Sequence, residues 1–441
     1  MRPDSNISNR RFFAIAVPII FANITIPMIG LVDTAVIGHL GSAVLIAGAG
    51  MGAAFLTGVY HLFNFLTTGV SAFTSQARGK SDQIEVLANG LRGMLMGLVL
   101  GFCIFIVHKP LFNFIFFISP AEDLVNDIAH NYISIRVFAA PFALANFAFM
   151  GWLIAVEKSF TVMLIQSSVT LMNIILDLFF VIYLELGVPG VAMASAISEA
   201  FGFSLSLFFC RKIFTKKLLI ERKFIFNLSK WLKILGANTD IFLRTLLLEC
   251  VAISYIVIGS TLGTLTQATN LILYQFLSFS SYALDGFAFS SQVLVGISYG
   301  QKSLSDFRKV FVMGLKWGLA GGSFLTVIFL IFGEHFVDLM TVAEDVREEA
   351  YHFLFFMAIT PLTGVSSWIL DGVFVGALET KKMRRAMLES VIFYGIVAAI
   401  TVPTFGNYGL WLSVSGLFIC RAVTLLVRYR SLETSLVNYE T

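Results

Sequence analysis

The sequence predicts an all-α, polytopic membrane protein: twelve transmembrane helices arranged as two parallel six-helix repeats. Three observations carry this reading. Twelve apolar runs are long enough to cross a bilayer, the basic residues between them alternate in number, and a near-constant offset relates the second half to the first. The 441 residues are 57% hydrophobic and only 13% charged, with Phe used 45 times. Soluble domains carry about 25% charged residues.

A bilayer span needs roughly 20 apolar residues. Such runs lie at about 12–38, 44–68, 87–107, 125–155, 160–184, 188–210, 234–259, 265–295, 310–332, 348–377, 384–403 and 407–428. The first is too long for a signal-peptide core and reads as a permanent span. Several connections are short and polar, such as His39-Leu-Gly-Ser42 and Gly406-Asn-Tyr408, and allow neighbouring spans to turn back on one another.

The Lys and Arg residues test the count. With a cytoplasmic N-terminus, 26 of the 30 fall in inside segments; Lys109 and Arg347 fall outside, and Arg136 and Arg244 within spans. Among the inside set are Arg92, Lys316 and Arg421. This bias is the positive-inside pattern, and it expects a multi-pass inner-membrane protein with both termini cytoplasmic. The net charge of +3 says little about partners beside that placement.

The longest basic segment divides the chain. The expected organisation is a first lobe at 1–210 with helices 1–6, a basic cytoplasmic linker at 211–233, and a second lobe at 234–441 with helices 7–12. Val36-Ile37-Gly38 matches Val257-Ile258-Gly259, Gly79 matches Gly300 and Gly151 matches Gly372, each 221 positions apart; Gly187-x-x-Gly190 matches Gly406-x-x-Gly409 at 219. Six spans per half is even, so both halves enter from the same side, as parallel repeats do. Two such lobes across a central cavity are the shape of an alternating-access carrier.

Polar residues inside spans then point to the chemistry. Asp33 stands alone in a run without a basic residue from Phe12 to Gly38. A charge at the centre of a membrane helix costs about 2.5–3.5 kcal/mol on insertion scales, so it needs a reason. Asn173 and Asp177 in span five are four apart and share a helix face. With Ser195 in span six they fall at a depth similar to that of Asp33, counting 1.5 Å per residue. Two carboxylates, an amide oxygen and a hydroxyl are a hard-oxygen set suited to Na⁺ or to a shared proton. The alternative is a set of structural bonds to backbone or to Arg136 in span four. Asn146, also in span four, is a further candidate for the network. The repeat partners of Asp33, Asn173 and Asp177 are Ser254, Phe393 and Val397, counting an offset of 221 for the first and about 220 for the others, and none carries charge.

The second half has its own acids, Glu249, Asp285 and Asp371, as candidates for a substrate cavity or a second cation site. Asp285 and Asp371, each followed by a Gly, could equally brace a loosened backbone. Pro18 interrupts span one, where proline removes a backbone bond and bends the helix. A hinge on the helix that bears Asp33 is a coupling device. Other chemistry is missing from the sequence. There is no phosphate loop, zinc motif or nucleophile–base constellation, and Cys103, Cys210, Cys250 and Cys420 have no ligand spacing. The expectation is a carrier and not an enzyme, with no cofactor, no nucleic acid and no metal beyond Na⁺ at the coupling site.

These features, read together, resemble the multidrug and toxic compound extrusion (MATE) family, of the MOP superfamily, over about residues 10–430. The resemblance rests on Gly30-Leu-Val-Asp-Thr-Ala-Val-Ile-Gly-His-Leu-Gly41, Pro141 with Gly151-Trp-Leu, Asn173-Ile-Ile-Leu-Asp177 and Gly187-Val-Pro-Gly-Val-Ala-Met-Ala-Ser195. Tyr282-Ala-Leu-Asp-Gly-Phe-Ala288 and Leu370-Asp-Gly-Val-Phe-Val-Gly-Ala377 look like its DNA-damage-inducible (DinF-like) bacterial branch. The resemblance implies a cation site of Asp33, Asn173, Asp177 and Ser195, a bending first helix at Pro18, and efflux of organic cations and other amphipathic drugs by a monomer. Coupling to H⁺ is preferred to Na⁺. Glu249 and Asp371 fall close to the second-lobe acids of related members. The rival within the superfamily is a lipid-linked precursor flippase, which would need a strongly basic cavity, whereas Arg136 and Arg244 are the bases this reading places in spans.

Overall fold

In water-free hydrocarbon each backbone N–H and C=O must be satisfied within its own segment, which leaves helices as the way to build these runs. The computed structural model describes residues 7–38, 42–118, 122–211 and 222–437, and every element among them is helical. In chain order these are α1 (Asn9–Gly38), α2 (Ala43–Leu62), α3 (Phe65–Gly79), α4 (Gln83–Ile118), α5 (Asp123–Arg136), α6 (Ala140–Ala155), α7 (Ser159–Asp177) and α8 (Gly187–Phe209). There follow α9 (Arg222–Ile225), α10 (Leu228–Thr261), α11 (Thr264–Gly300), α12 (Leu304–Met340), α13 (Glu344–Gly376), α14 (Thr380–Phe405) and α15 (Asn407–Val437). Residues His39–Gly41, most of the basic linker (212–221) and Arg2 lie outside the described residues.

The twelve expected spans are all here. Eleven are long and apolar enough to cross a membrane by length and composition. The twelfth, α11, is 37 residues long. It is richer in Ser, Thr, Asn and Gln than its neighbours, and buries many of them. Two spans are composite. A break at Phe63 and Asn64 separates α2 from α3, and a 3-10 turn at Val137–Ala139 separates α5 from α6. Pro141 sits in the first turn of α6, where its missing N–H costs nothing. Helices run past the apolar windows because their polar ends continue into the interface; α12, expected at 310–332, spans Leu304–Met340.

The repeat is visible in matched pairs of close approaches. Gly151 presses on the Thr67 carbonyl and Gly372 on the Ala288 carbonyl, so both partners keep the spacing of 221. Gly93 packs on Val70 and Ala148; its counterpart Gly314 packs on Ser291 and Ile369. Left-handed turn residues recur at the same spacing, Ser81 with Lys302 and Glu157 with Leu378. Helices α7 and α14 begin at Ser159 and Thr380, again 221 apart. The later drop to 219 also has a cause. Directly after Asp177 the first repeat continues as a π-helix, Leu178–Tyr183, which takes up extra residues where α14 stays regular. The spacing is therefore still 221 at Asn173, and its counterpart is Tyr394; that of Asp177 is Ala398. The sequence reading had placed these at Phe393 and Val397.

The chain forms two compact units. One holds Phe21–Thr74 and Asp82–Trp231; the other holds the residues up to Ile20, Ser75–Ser81 and the chain from Leu232 onward. Helix α1 thus contributes to both, and the division falls two residues after Pro18. In the second unit Ser290 donates to the Phe12 carbonyl at 2.9 Å, Gly286 packs on Ala16 and Ile20, and Gly79 meets Gly300 backbone to backbone. In the first unit the fully buried Arg92 of α4 bonds Glu85 and the carbonyls of Phe224 and Ile225, so it fastens the described end of the linker. Arg92, counted from sequence among loop bases, lies inside α4.

Without water to exclude, helices in a membrane associate through close packing at small residues. A Cβ on Gly300 would lie 2.2 Å from the Gln76 carbonyl oxygen, whereas one on Gly395 meets nothing within 4 Å. Gly300→Ala is expected to cost about 1–3 kcal/mol, and Gly395→Ala to be neutral or to stabilise by up to about 1 kcal/mol. Melting the two variants in detergent checks this, and equal midpoints would contradict it.

Candidate functional site

The first repeat gathers its polar residues between α1, α5, α7 and α8. Asp33, Asn173, Asp177 and Ser195 are all buried, with Asp177 at 0% exposure. Asn173 and Asp177 share a face of α7, as their spacing requires. The Asn173 Nδ2 donates to Ser195 Oγ at 3.4 Å. The Asp33 and Asp177 carboxyls lie within hydrogen-bonding reach of one another. Among the described residues no other donor reaches either oxygen of Asp177, and Asp33 Oδ1 and Asn173 Oδ1 are likewise unpartnered. Two carboxyls can bond to each other only if one carries a proton. The structure brings all four sequence-predicted residues together.

Arg136, at the C-terminal end of α5, is held elsewhere. Its guanidinium bridges Glu199 of α8 at 3.0 Å and bonds the Tyr132 hydroxyl at 3.2 Å. Both Asp33 and Asp177 feel its charge without a direct ion pair. Tyr132 in turn contacts Ser195, and the buried Tyr60 hydroxyl lies in the same field. Glu199 escaped the sequence reading, which took the acids of the first half to be those of spans one and five. The signal was there: Glu199 follows Ser195 by four residues, on the same face of α8. Three acids surround one base. Asn146 takes a separate part, accepting from Ser206 at 2.5 Å and so tying α6 to α8.

Comparison with known proteins fits this arrangement. A family model, MatE, matches twice, at residues 18–179 and 241–401, once per repeat. DNA damage-inducible protein F of Escherichia coli is 31% identical over 425 residues, covering 96% of this chain and 92% of that protein. The chain belongs to the MatE family. The multidrug export protein MepA of Staphylococcus aureus is 21% identical over 94% of this chain and 92% of its own length. A crystal structure of MATE in the bent conformation superposes with a TM-score of 0.87 at 16% identity, covering 98% of this chain and 96% of that one. MatE proteins are transporters and not enzymes, and they need no cofactor. Among the described residues no group of three or more His, Cys, Asp or Glu is placed to hold a metal.

The second repeat uses the same MatE frame differently. At the position equivalent to Asp33 and Asn173, the Ser254 and Tyr394 hydroxyls meet at 3.0 Å, a neutral pair. Glu249 on α10 lies near Tyr274 and Tyr282, and Asp285 near Tyr282. Asp371 is claimed by two arginines. Its Oδ2 accepts from Arg244 at 2.5 Å and from Arg421. Arg421, counted from sequence as a loop base, is fully buried inside α15. With Arg92 it joins Arg136 and Arg244 as bases within spans. Only the tertiary structure finds it, because its apolar surroundings in sequence taper gradually into a basic tail.

Removing one partner of a buried ion pair leaves an uncompensated charge, at a cost of about 3–5 kcal/mol. Arg136→Met is therefore expected to lower the detergent melting midpoint strongly, and Arg136→Met with Glu199→Gln to recover most of the loss. If the double variant melts no higher than the single one, the Arg136–Glu199 pairing does not carry that stability.

Proposed function

We propose that this chain is a proton-coupled multidrug antiporter that exports organic cations and amphipathic compounds by alternating access. The Asp33–Asp177 carboxyl pair, in which both Asp177 oxygens and Asp33 Oδ1 lack a partner among the described residues, is the observation that carries the reading. Burying uncompensated charge is unfavourable enough that such a group takes up a positive charge or neutralises. The oxygens of Asp33, Asn173 and Asp177 also fit Na⁺, but facing carboxyls fit a proton more closely, since a hydrogen between them completes the contact.

In this reading a proton enters at Asp33 and Asp177 and favours one arrangement of the first lobe. Coupling requires that proton and drug bind the two arrangements with different affinity. Lobes 1–210 and 234–441, joined by 211–233, are the moving halves. Helix α1 bends at Pro18, which lies beside the division of that helix between the compact units. Asn173 and Ser195 bond each other beside Asp177 and complete the polar set, and the π-helix after Asp177 gives α7 a deformable turn, a feature frequent at functional sites. Arg136 holds Glu199 and sets the field at the acids. Relatives described as multidrug exporters support the substrate class. The protein acts as a monomer in the inner membrane, with both termini cytoplasmic.

In proteoliposomes, efflux of a cationic dye is expected to respond to ΔpH imposed alone more than to ΔNa⁺ alone. Asp33→Asn and Asp177→Asn should each slow ΔpH-driven efflux about tenfold or more, within the usual range of a coupling energy. Wild-type rates in Asp33→Asn under both gradients would overturn the assignment.

A further inference from the structure

The second unit carries a cluster whose charge balance is opposite to that of the acids in the first. Arg244 of α10, Asp371 of α13 and Arg421 of α15 converge on a single carboxylate oxygen. One carboxylate neutralises one guanidinium, so a positive charge is left over. Arg421 has a side-chain exposure of 0%, yet its Nε and Nη1 have no partner. The Nε of Arg244 and Oδ1 of Asp371 are also unpartnered. The Arg244 side chain is 21% exposed, so the cluster is not wholly enclosed.

A purely structural tie between these helices needs one arginine and one carboxylate. A second buried guanidinium with idle donors adds a desolvation cost with no return from the tie itself. That cost is removed by an anion, because a charge-assisted bond from guanidinium to an anionic oxygen is among the strongest hydrogen bonds a protein makes. We propose that Arg244, Asp371 and Arg421 form an anion site that takes one carboxylate-type group, with Asp371 as the internal anion that partly occupies it. The group comes from a carboxylate-bearing amphipathic solute or from a small anion of the medium.

The full-length protein, purified in detergent, is melted at constant ionic strength with sodium benzoate or with benzamide, its neutral analogue. Benzoate is expected to raise the midpoint saturably and benzamide to leave it unchanged, as binding to the folded state requires. Arg421→Gln should abolish the benzoate effect. Asp371→Asn, which removes the internal competitor, should lower the half-saturating concentration about tenfold, in line with a close charge pair. Should Arg421→Gln fail to fold, the comparison of the two ligands on the unaltered protein and the Asp371→Asn shift still decide. Equal responses to benzoate and benzamide overturn the proposal, and so does a benzoate effect that survives Arg421→Gln.

The source of the anion is read in proteoliposomes with dansylglycine and its methyl ester. Efflux of the carboxylate about tenfold faster than the ester, the discrimination expected when buried donors lose their acceptor, assigns the site to the solute path. Equal efflux with the benzoate response intact assigns it to a small anion. This arm rests on the carrier reading above. Loss of all transport, cationic dye included, would count against that reading and leave the melting result standing.

Discussion

Helix backbones meet at glycine in this protein, and the rest of its architecture follows from those meetings. Gly151 on the Thr67 carbonyl and Gly372 on the Ala288 carbonyl are approaches that a single methyl group would forbid. Between helices in hydrocarbon there is little water to expel, so close packing has to supply the attraction. The approaches occur in pairs at one spacing, so the two repeats hold the same frame. On that frame each side chain has a counterpart, and departures from symmetry mark places where the halves do different work.

The departures concentrate around α7. Through Asn173 and Asp177 the two repeats stay in step, and then the first inserts the π-helix Leu178–Tyr183. The residues in step differ in kind. Asp33 and Asn173 stand where the second repeat has Ser254 and Tyr394, whose hydroxyls satisfy each other. A neutral bonded pair needs nothing further. The carboxyl pair keeps idle oxygens, and does so in one half alone.

Charge is likewise divided by sign. In the first unit, three acids (Asp33, Asp177 and Glu199) share Arg136. In the second, Arg244 and Arg421 share Asp371. Neither cluster is satisfied by its own residues: Asp177 keeps both oxygens unpartnered, and Arg421 its Nε and Nη1.

The twelve apolar runs, the repeat and the grouping of Asp33, Asn173, Asp177 and Ser195 are legible in the chain alone. These depend on local quantities: apolar run length, a constant spacing, and the helical period that puts Asn173 and Asp177 on one face. Other features took shape in three dimensions. Glu199 reads in sequence as a lone acid in an apolar helix, and α5 brings Arg136 to it. Arg421 sits at the ragged end of a hydrophobic run, where composition cannot separate membrane from interface; packing of α15 against α13 placed it on Asp371. The sharing of α1 between two units was invisible in its unbroken apolar pattern. Which helix an arginine reaches, and where a continuous helix changes partners, depend on how helices cross, and a crossing is a property of two surfaces that no single stretch of chain encodes alone.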